Sequence, residues 1–135
     1  MSALLAALIT KLTGTALWTA VAGRVYLDRA PELAVFPYVV FSIISSVPQD
    51  TFSESVEDTL IQFDLYSTSE GATEITTLYE ALKATLKNGS LTVAGSTHLW
   101  MTQENLTTFV DEITTPSGTV GAKHWSVDYS IGVQS

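Results

Sequence analysis

The chain opens with apolar residues at the three- and four-residue spacing of one face of an α-helix. These residues are Leu4, Leu5, Leu8, Ile9 and Leu12. Ser2 is placed to cap this helix, and Gly14 is placed to end it. A second short helical turn is predicted over residues 15–22, and Gly23 is placed to stop it.

The same spacing returns most clearly over residues 72–87, where one apolar stripe predicts a central helix. The stripe consists of Ile75, Leu78, Tyr79, Leu82 and Leu86. Asn88 and Gly89 follow it, and both tolerate the left-handed backbone with which helices commonly end.

Apolar and polar residues alternate in two other segments, which predicts strands with one buried face. The first segment covers residues 56–67, where Ile61, Phe63 and Leu65 share a face. The second is the last strand of the chain. Its apolar face is formed by Trp125, Val127, Tyr129, Ile131 and Val133.

Residues 38–47, between Pro37 and Pro48, are apolar on both faces, so they are predicted to form a central strand covered on both sides. Shorter strands are predicted at residues 25–27 and 91–93, and a longer, less regular stretch follows at residues 97–113. Residues 49–55 and 114–121 are predicted as polar loops because of their Ser, Thr, Gly and Pro content.

This order of elements predicts an α+β fold. The expected architecture is a mostly antiparallel β-sheet with the N-terminal helix and one central helix packed on it. At 135 residues, the chain is expected to form a single domain over residues 1–135.

The composition narrows the classes of function. Acidic residues outnumber basic residues by 14 to 6, which gives a net charge of −8. Specific nucleic-acid binding is not expected, since its affinity depends on Lys and Arg that neutralise phosphates. The mean hydropathy of +0.27 is high for a small soluble domain, so we expect contacts between subunits to cover part of the apolar surface.

The N-terminal apolar run does not predict a membrane anchor. Lys11 interrupts it after ten residues, which is too short to cross a bilayer, and no basic segment precedes it. The chain contains no cysteine, so neither disulfides nor thiolate metal sites are expected.

Candidate chemistry is limited to one acidic group. Glu54, Glu57, Asp58 and Asp64 suggest a metal site because Mg²⁺ and Ca²⁺ prefer oxygen ligands. A strand would turn Glu57 and Asp58 to opposite faces, and no calcium-loop motif is present, so solvated charges are the favoured interpretation.

The two histidines, His98 and His124, lack a neighbouring nucleophile in the sequence, and polar surface or interface roles are favoured for them. No glycine-rich phosphate motif is present. No catalytic residue, metal ligand or cofactor is therefore assigned. Trp125 is assigned to the core, whereas Trp100 fits a core or an interface equally well.

Several short motifs, taken in order, resemble those of one family. They are GRVY at residues 23–26, an acidic loop with Pro31, PYVV at 37–40, a strand closing at Pro48, FDLYS at 63–67, LYEAL at 78–82, LTV at 91–93 and WSVDYSI at 125–131. The sequence resembles the phage tail completion family, which includes the tail terminators of long-tailed bacteriophages and of related gene-transfer particles.

This resemblance implies a non-enzymatic virion protein that forms a ring, usually a hexamer, on the head-proximal end of the tail tube. Such a ring ends tube polymerisation and forms the interface to the head connector. The implied partners are other copies of the chain, the major tail tube protein and the head–tail connector or stopper. DNA would pass through the lumen without specific binding, and no membrane is involved. Assembly is expected in the host cytoplasm.

The sheet edge and the loops are the expected contact surfaces, since loops carry binding residues on a rigid scaffold. The candidate interface residues are Gln49, Asp50, Thr51, Phe52, Trp100, Thr115, Pro116, Ser117 and Gly118. Two alternatives remain open. One is a head–tail adaptor or stopper protein of similar fold, and the other is a small carboxylate-dependent metal-binding enzyme.

Overall fold

The computed structural model describes residues 2–30, 35–48, 56–68, 72–87, 97–115 and 118–134. The helices are α1 (Ser2–Leu12), α2 (Ala16–Ala20) and α3 (Thr73–Lys87). The strands are β1 (Val25–Leu27), β2 (Tyr38–Pro48), β3 (Val56–Ser67), β4 (Thr97–Thr115) and β5 (Gly118–Gln134). The predicted α+β fold with a mostly antiparallel sheet is confirmed.

Local sequence signals set the boundaries of the N-terminal helices. Gly14 and Gly23 adopt positive φ angles of 79° and 76°, which glycine tolerates without a Cβ clash. The Thr15 hydroxyl caps α2 by accepting a hydrogen bond from the backbone N–H of Trp18 at 3.3 Å. No helix in the described part of the chain is long and apolar enough to cross a membrane.

All three helices pack on one face of the sheet and share one core with it. Leu8 and Leu12 of α1, Leu17 of α2, and Leu78 of α3 are almost fully buried there. The sheet residues of this core are Val39, Phe41, Ile61, Phe63, Leu65, Val127, Tyr129, Ile131 and Val133. The predicted apolar stripe of α3 and the predicted apolar faces of β3 and β5 are therefore confirmed.

The sheet has the strand order β1-β2-β3-β5-β4. β3 lies in the middle and pairs antiparallel with β2 and β5, and β1 pairs parallel with β2 at one edge. β4 and β5 form a long antiparallel hairpin whose register runs from Thr97–Gln134 to Thr115–Gly118.

Two expectations need correction. β3, not β2, is the central strand, and only the first half of β2 is buried. Ile44 and Val47 in its second half are 51% and 53% exposed, because β1 covers only residues 39–41 of its outer edge.

Residues 114, 115 and 118–121 of the predicted loop belong to strands β4 and β5, and residues 116 and 117 lie outside the described residues. The Thr and Val residues of this segment continue the two strands of the hairpin, and these residue types favour strands. The predicted strand at residues 91–93 also lies outside the described residues.

Candidate functional site

The sheet face opposite the helices carries no helix within the described part of the chain, and we call it the open face. It presents the alternate residues of each strand, such as Tyr66, Asp64 and Gln62 of β3 beside His124, Ser126 and Asp128 of β5. Antiparallel sheets commonly leave one face to solvent or to a partner.

An aromatic row crosses the open face and takes one side chain from each of the five strands. Its members, in sheet order, are Tyr26, Tyr38, Tyr66, His124 and Phe109. The register places Tyr38, Tyr66, His124 and Phe109 directly opposite one another on successive strands. Tyr66 stacks on Tyr38 with ring centroids 4.7 Å apart and on His124 at 4.4 Å.

Such cross-strand aromatic pairs each contribute about 0.5–1.5 kcal/mol beyond the area that they bury. The row therefore ties all five strands together on the side of the sheet that the helix core does not reach. Phe109, at its β4 end, remains 45% exposed.

Asp64 lies on the open face beside the aromatic row and contacts its member His124. One of its carboxylate oxygens lies 2.8 Å from Nε2 of His124 and also accepts a hydrogen bond from the Gln62 amide at 2.8 Å. Burial acts to raise the pKa of Asp64, but the hydrogen bonds from His124, Gln62 and Ser126 and the charge of His124 outweigh it and lower the pKa. The fold therefore stabilises Asp64 in its ionised form.

Asp128 lies on β5 in register with Gln62 and has the opposite electrostatic environment. Its Oδ1 atom is buried without a hydrogen-bond partner among the described residues. Burial raises the pKa of Asp128, and the negative charge of Asp64 raises it further. Two neighbouring carboxylates on one face thus respond to folding in opposite directions.

Trp100 lies on the open face, outside the buried core. Its indole ring covers Gly132, where any Cβ would overlap the ring, and its Nε1 donates to the Ser130 hydroxyl at 3.1 Å. Ser130 in turn donates to Asp58 at 2.7 Å. Trp100 is only partly buried and lies on β4, an edge strand of the sheet.

The structure describes only some of the predicted interface residues. Gln49, Asp50, Thr51, Phe52, Pro116 and Ser117 lie outside the described residues. Thr115 and Gly118 form the last described pair of the β4–β5 hairpin. The structure therefore brings Thr115 and Gly118 together at one end of this hairpin and Trp100 near the other.

Sequence reasoning missed the aromatic row and the contact between Asp64 and His124. Both depend on which residues of β2, β3, β4 and β5 face one another. The alternation within each strand gives the face but not the register.

The acidic group does not assemble into a metal site within the described residues. Glu57 and Asp58 point to opposite faces as predicted, and each accepts a hydrogen bond from a serine, Ser46 and Ser130 respectively. Glu54 lies outside the described residues, as does the side chain of His98.

A family model for tail completion protein gp17 matches residues 2–134. The chain therefore belongs to the tail completion family and is a structural protein of the phage tail.

Solved structures share this fold at low sequence identity. One is a chain in the virion of a native gene transfer agent particle, with a TM-score of 0.74 at 15% identity, covering 99% of this chain and 96% of that chain. A second solved protein has a TM-score of 0.55 at 12% identity and covers 96% of this chain and 94% of its own. No curated protein matches the sequence at a significant level.

The first prediction concerns Trp100 and Gly132. Gly132→Ala should lower the free energy of unfolding by about 1–3 kcal/mol, because the new methyl group displaces the indole ring. In a Trp100→Ala background the same substitution should cost almost nothing. Urea unfolding of the four proteins in this double-mutant cycle measures the coupling.

Gly121→Ala is the matched control, since a Cβ there would meet only Val110 at an ordinary 3.9 Å. Equal costs for Gly132→Ala with and without Trp100 would show that the ring does not lie over Gly132.

The second prediction concerns the two aspartates. Asp64→Asn should destabilise the protein at pH 7 by about 1–3 kcal/mol, because charge-assisted hydrogen bonds are lost. A lowered folded-state pKa gives stability above the ordinary value of 3.8 that disappears as the pH falls through the folded value, so this loss should shrink in acid.

Asp128→Asn should have the opposite sign. A raised folded-state pKa means that ionisation costs stability once the pH exceeds the ordinary value, so the substitution should stabilise the protein at pH 7 by about 0.2–1 kcal/mol. The gain should vanish below the ordinary pKa. Urea unfolding at pH 7 and pH 3 measures the stability of both variants. Changes in stability of the same sign for both variants at pH 7 would contradict the opposite pKa shifts of Asp64 and Asp128.

Proposed function

We propose that this protein forms a ring that closes the head-proximal end of the tail tube. The ring ends tube polymerisation and presents the surface to which the head connector binds. The family match over residues 2–134 is the observation that carries this proposal. A hexamer is the ring size that the family resemblance favours.

In the proposed mechanism the ring acts by occupying the end of the tail tube, and it catalyses no reaction. One face of the ring covers the last layer of the major tail tube protein, so no further tube subunit has access to it. The opposite face then remains available for the connector or stopper protein. The high apolar content of the chain and exposed groups such as Ile9 and Val110 are consistent with a subunit that is covered by partners.

The open face is proposed to line the lumen through which DNA passes. In β2, β3 and β5 the register places Asp58, Asp64 and Asp128 on this face and no Lys or Arg. Like charges repel within the screening length of about 8 Å at physiological salt, so passing DNA would not adhere to such a wall. A reconstruction of the assembled ring with Lys and Arg lining the channel would contradict this assignment.

The third prediction tests termination. The cognate major tail tube protein, polymerised alone, should give long tubes of broad length distribution. Adding this protein at the start should shorten and narrow that distribution, and electron microscopy measures the lengths. Tubes of unchanged length that carry no added density at either end would exclude the terminator function.

A shortened hairpin provides the matched variant. Replacing residues 114–119 with Asn-Gly keeps the pairing of Ile113 with Val120 and closes the hairpin with a favourable two-residue turn. We expect the variant to unfold at nearly the same temperature as the wild type but to lose its effect on tube length. Unchanged tube capping by this variant would show that the end of the hairpin is dispensable.

A further inference from the structure

Charge is unevenly divided between the N-terminal segment that ends with edge strand β1 and the opposite edge strand β4. Residues 1–30, which end with edge strand β1, contain three basic residues and the single acid Asp28, a net charge of +2. The remaining 105 residues contain three basic and thirteen acidic residues, a net charge of −10. Strand β4, at the other edge, carries Glu104, Asp111 and Glu112 and neither Lys nor Arg, a net charge of −3.

The helices that precede β1 have an unusual outer surface. Among the residues of α1, α2 and the turns that join them whose burial is described, the exposed ones are alanine, threonine, glycine and one isoleucine. The charged Lys11 of α1 is partly buried. Ile9 is 40% exposed in this surface. A helix that faces water normally carries charged residues on its outer side, as α3 does with the exposed Glu80.

The other edge extends beyond the sheet. Pairing between β3 and β5 stops at Ser67 and Lys123, but β4 and β5 continue to pair as far as Thr115 and Gly118. At about 3.3 Å per residue, the five further pairs form an arm roughly 16 Å long. Val110 at its base is 73% exposed, and residues 113–122 contain no charged residue.

We propose that copies of this chain join head to tail, with β4 and its arm in one copy bound to the surface of α1, α2 and β1 in the next. A contact between the same edge of two copies would bring like charges together. A contact between the β4 edge of one copy and the β1 edge of the next brings opposite charges together. The three outer pairs of the arm, from Ile113–Val120 to Thr115–Gly118, contain no charged residue. Together with the helix surface, they supply the apolar part of the contact. A contact between two different patches generates a ring or a filament, so this inference rests on the ring proposed above and identifies its repeated interface.

The fourth prediction uses two charge-reversal variants. Lys11→Glu with Arg29→Glu makes both edges acidic, and Glu104→Lys with Glu112→Lys makes both edges basic. Each variant alone should remain monomeric where the wild type assembles. An equimolar mixture should assemble, because each acidic edge then meets a basic edge, and native mass spectrometry should show an even number of subunits in a 1:1 ratio.

Recovery in the mixture also shows that both variants fold. Glu80→Lys, an exposed acid on α3, is the matched control and should assemble like the wild type. Self-assembly of either variant, failure of the mixture, or a wild-type chain that stays monomeric at high concentration would overturn this interface. The tube-length assay is independent of these outcomes, so loss of the interface and loss of the capping function can be told apart.

Discussion

The pairing of β3 with β2 on one side and β5 on the other is the constraint on which the rest of the structure depends. Side chains alternate between the two faces of a strand, so a slip of one residue would carry Phe63 out of the core and Asp64 into it. The same register brings Tyr38, Tyr66 and His124 side by side and sets Asp64 within reach of His124. The helix core on one face and the aromatic row on the other therefore both follow from the position of β3.

Much of this architecture follows from local patterns. The stripe on α3 and the alternation in β3 and β5 gave the elements and their buried faces, and glycines 14 and 23 marked the helix ends. Local sequence patterns did not predict the features that depend on which strands pair with one another. The apolar second half of β2 does not show that β1 stops at Leu27. The Thr-rich segment 114–121 does not show that its two ends pair with each other as parts of β4 and β5. For the same reason the aromatic row was not predicted.

The candidate interface was the least predictable part, because it depends on groups that are distant in sequence. The sequence left Trp100 open between a core and an interface role. In the structure it lies over Gly132, which must lack a side chain there, and donates to Ser130 beside Asp58. The charge separation between residues 1–30 and β4 is visible in the sequence, but its meaning depends on the strand order that places β1 and β4 at opposite edges.

The central claim is that the two sheet edges join copies while the middle of the sheet holds each copy together. Hydrogen–deuterium exchange of the free chain and of the assembled ring, followed by peptide mass spectrometry, tests this most directly. The account predicts new protection in residues 2–30 and in β4, with β3 already protected in the free chain and α3 unchanged. New protection in α3 with no change at either edge would contradict it.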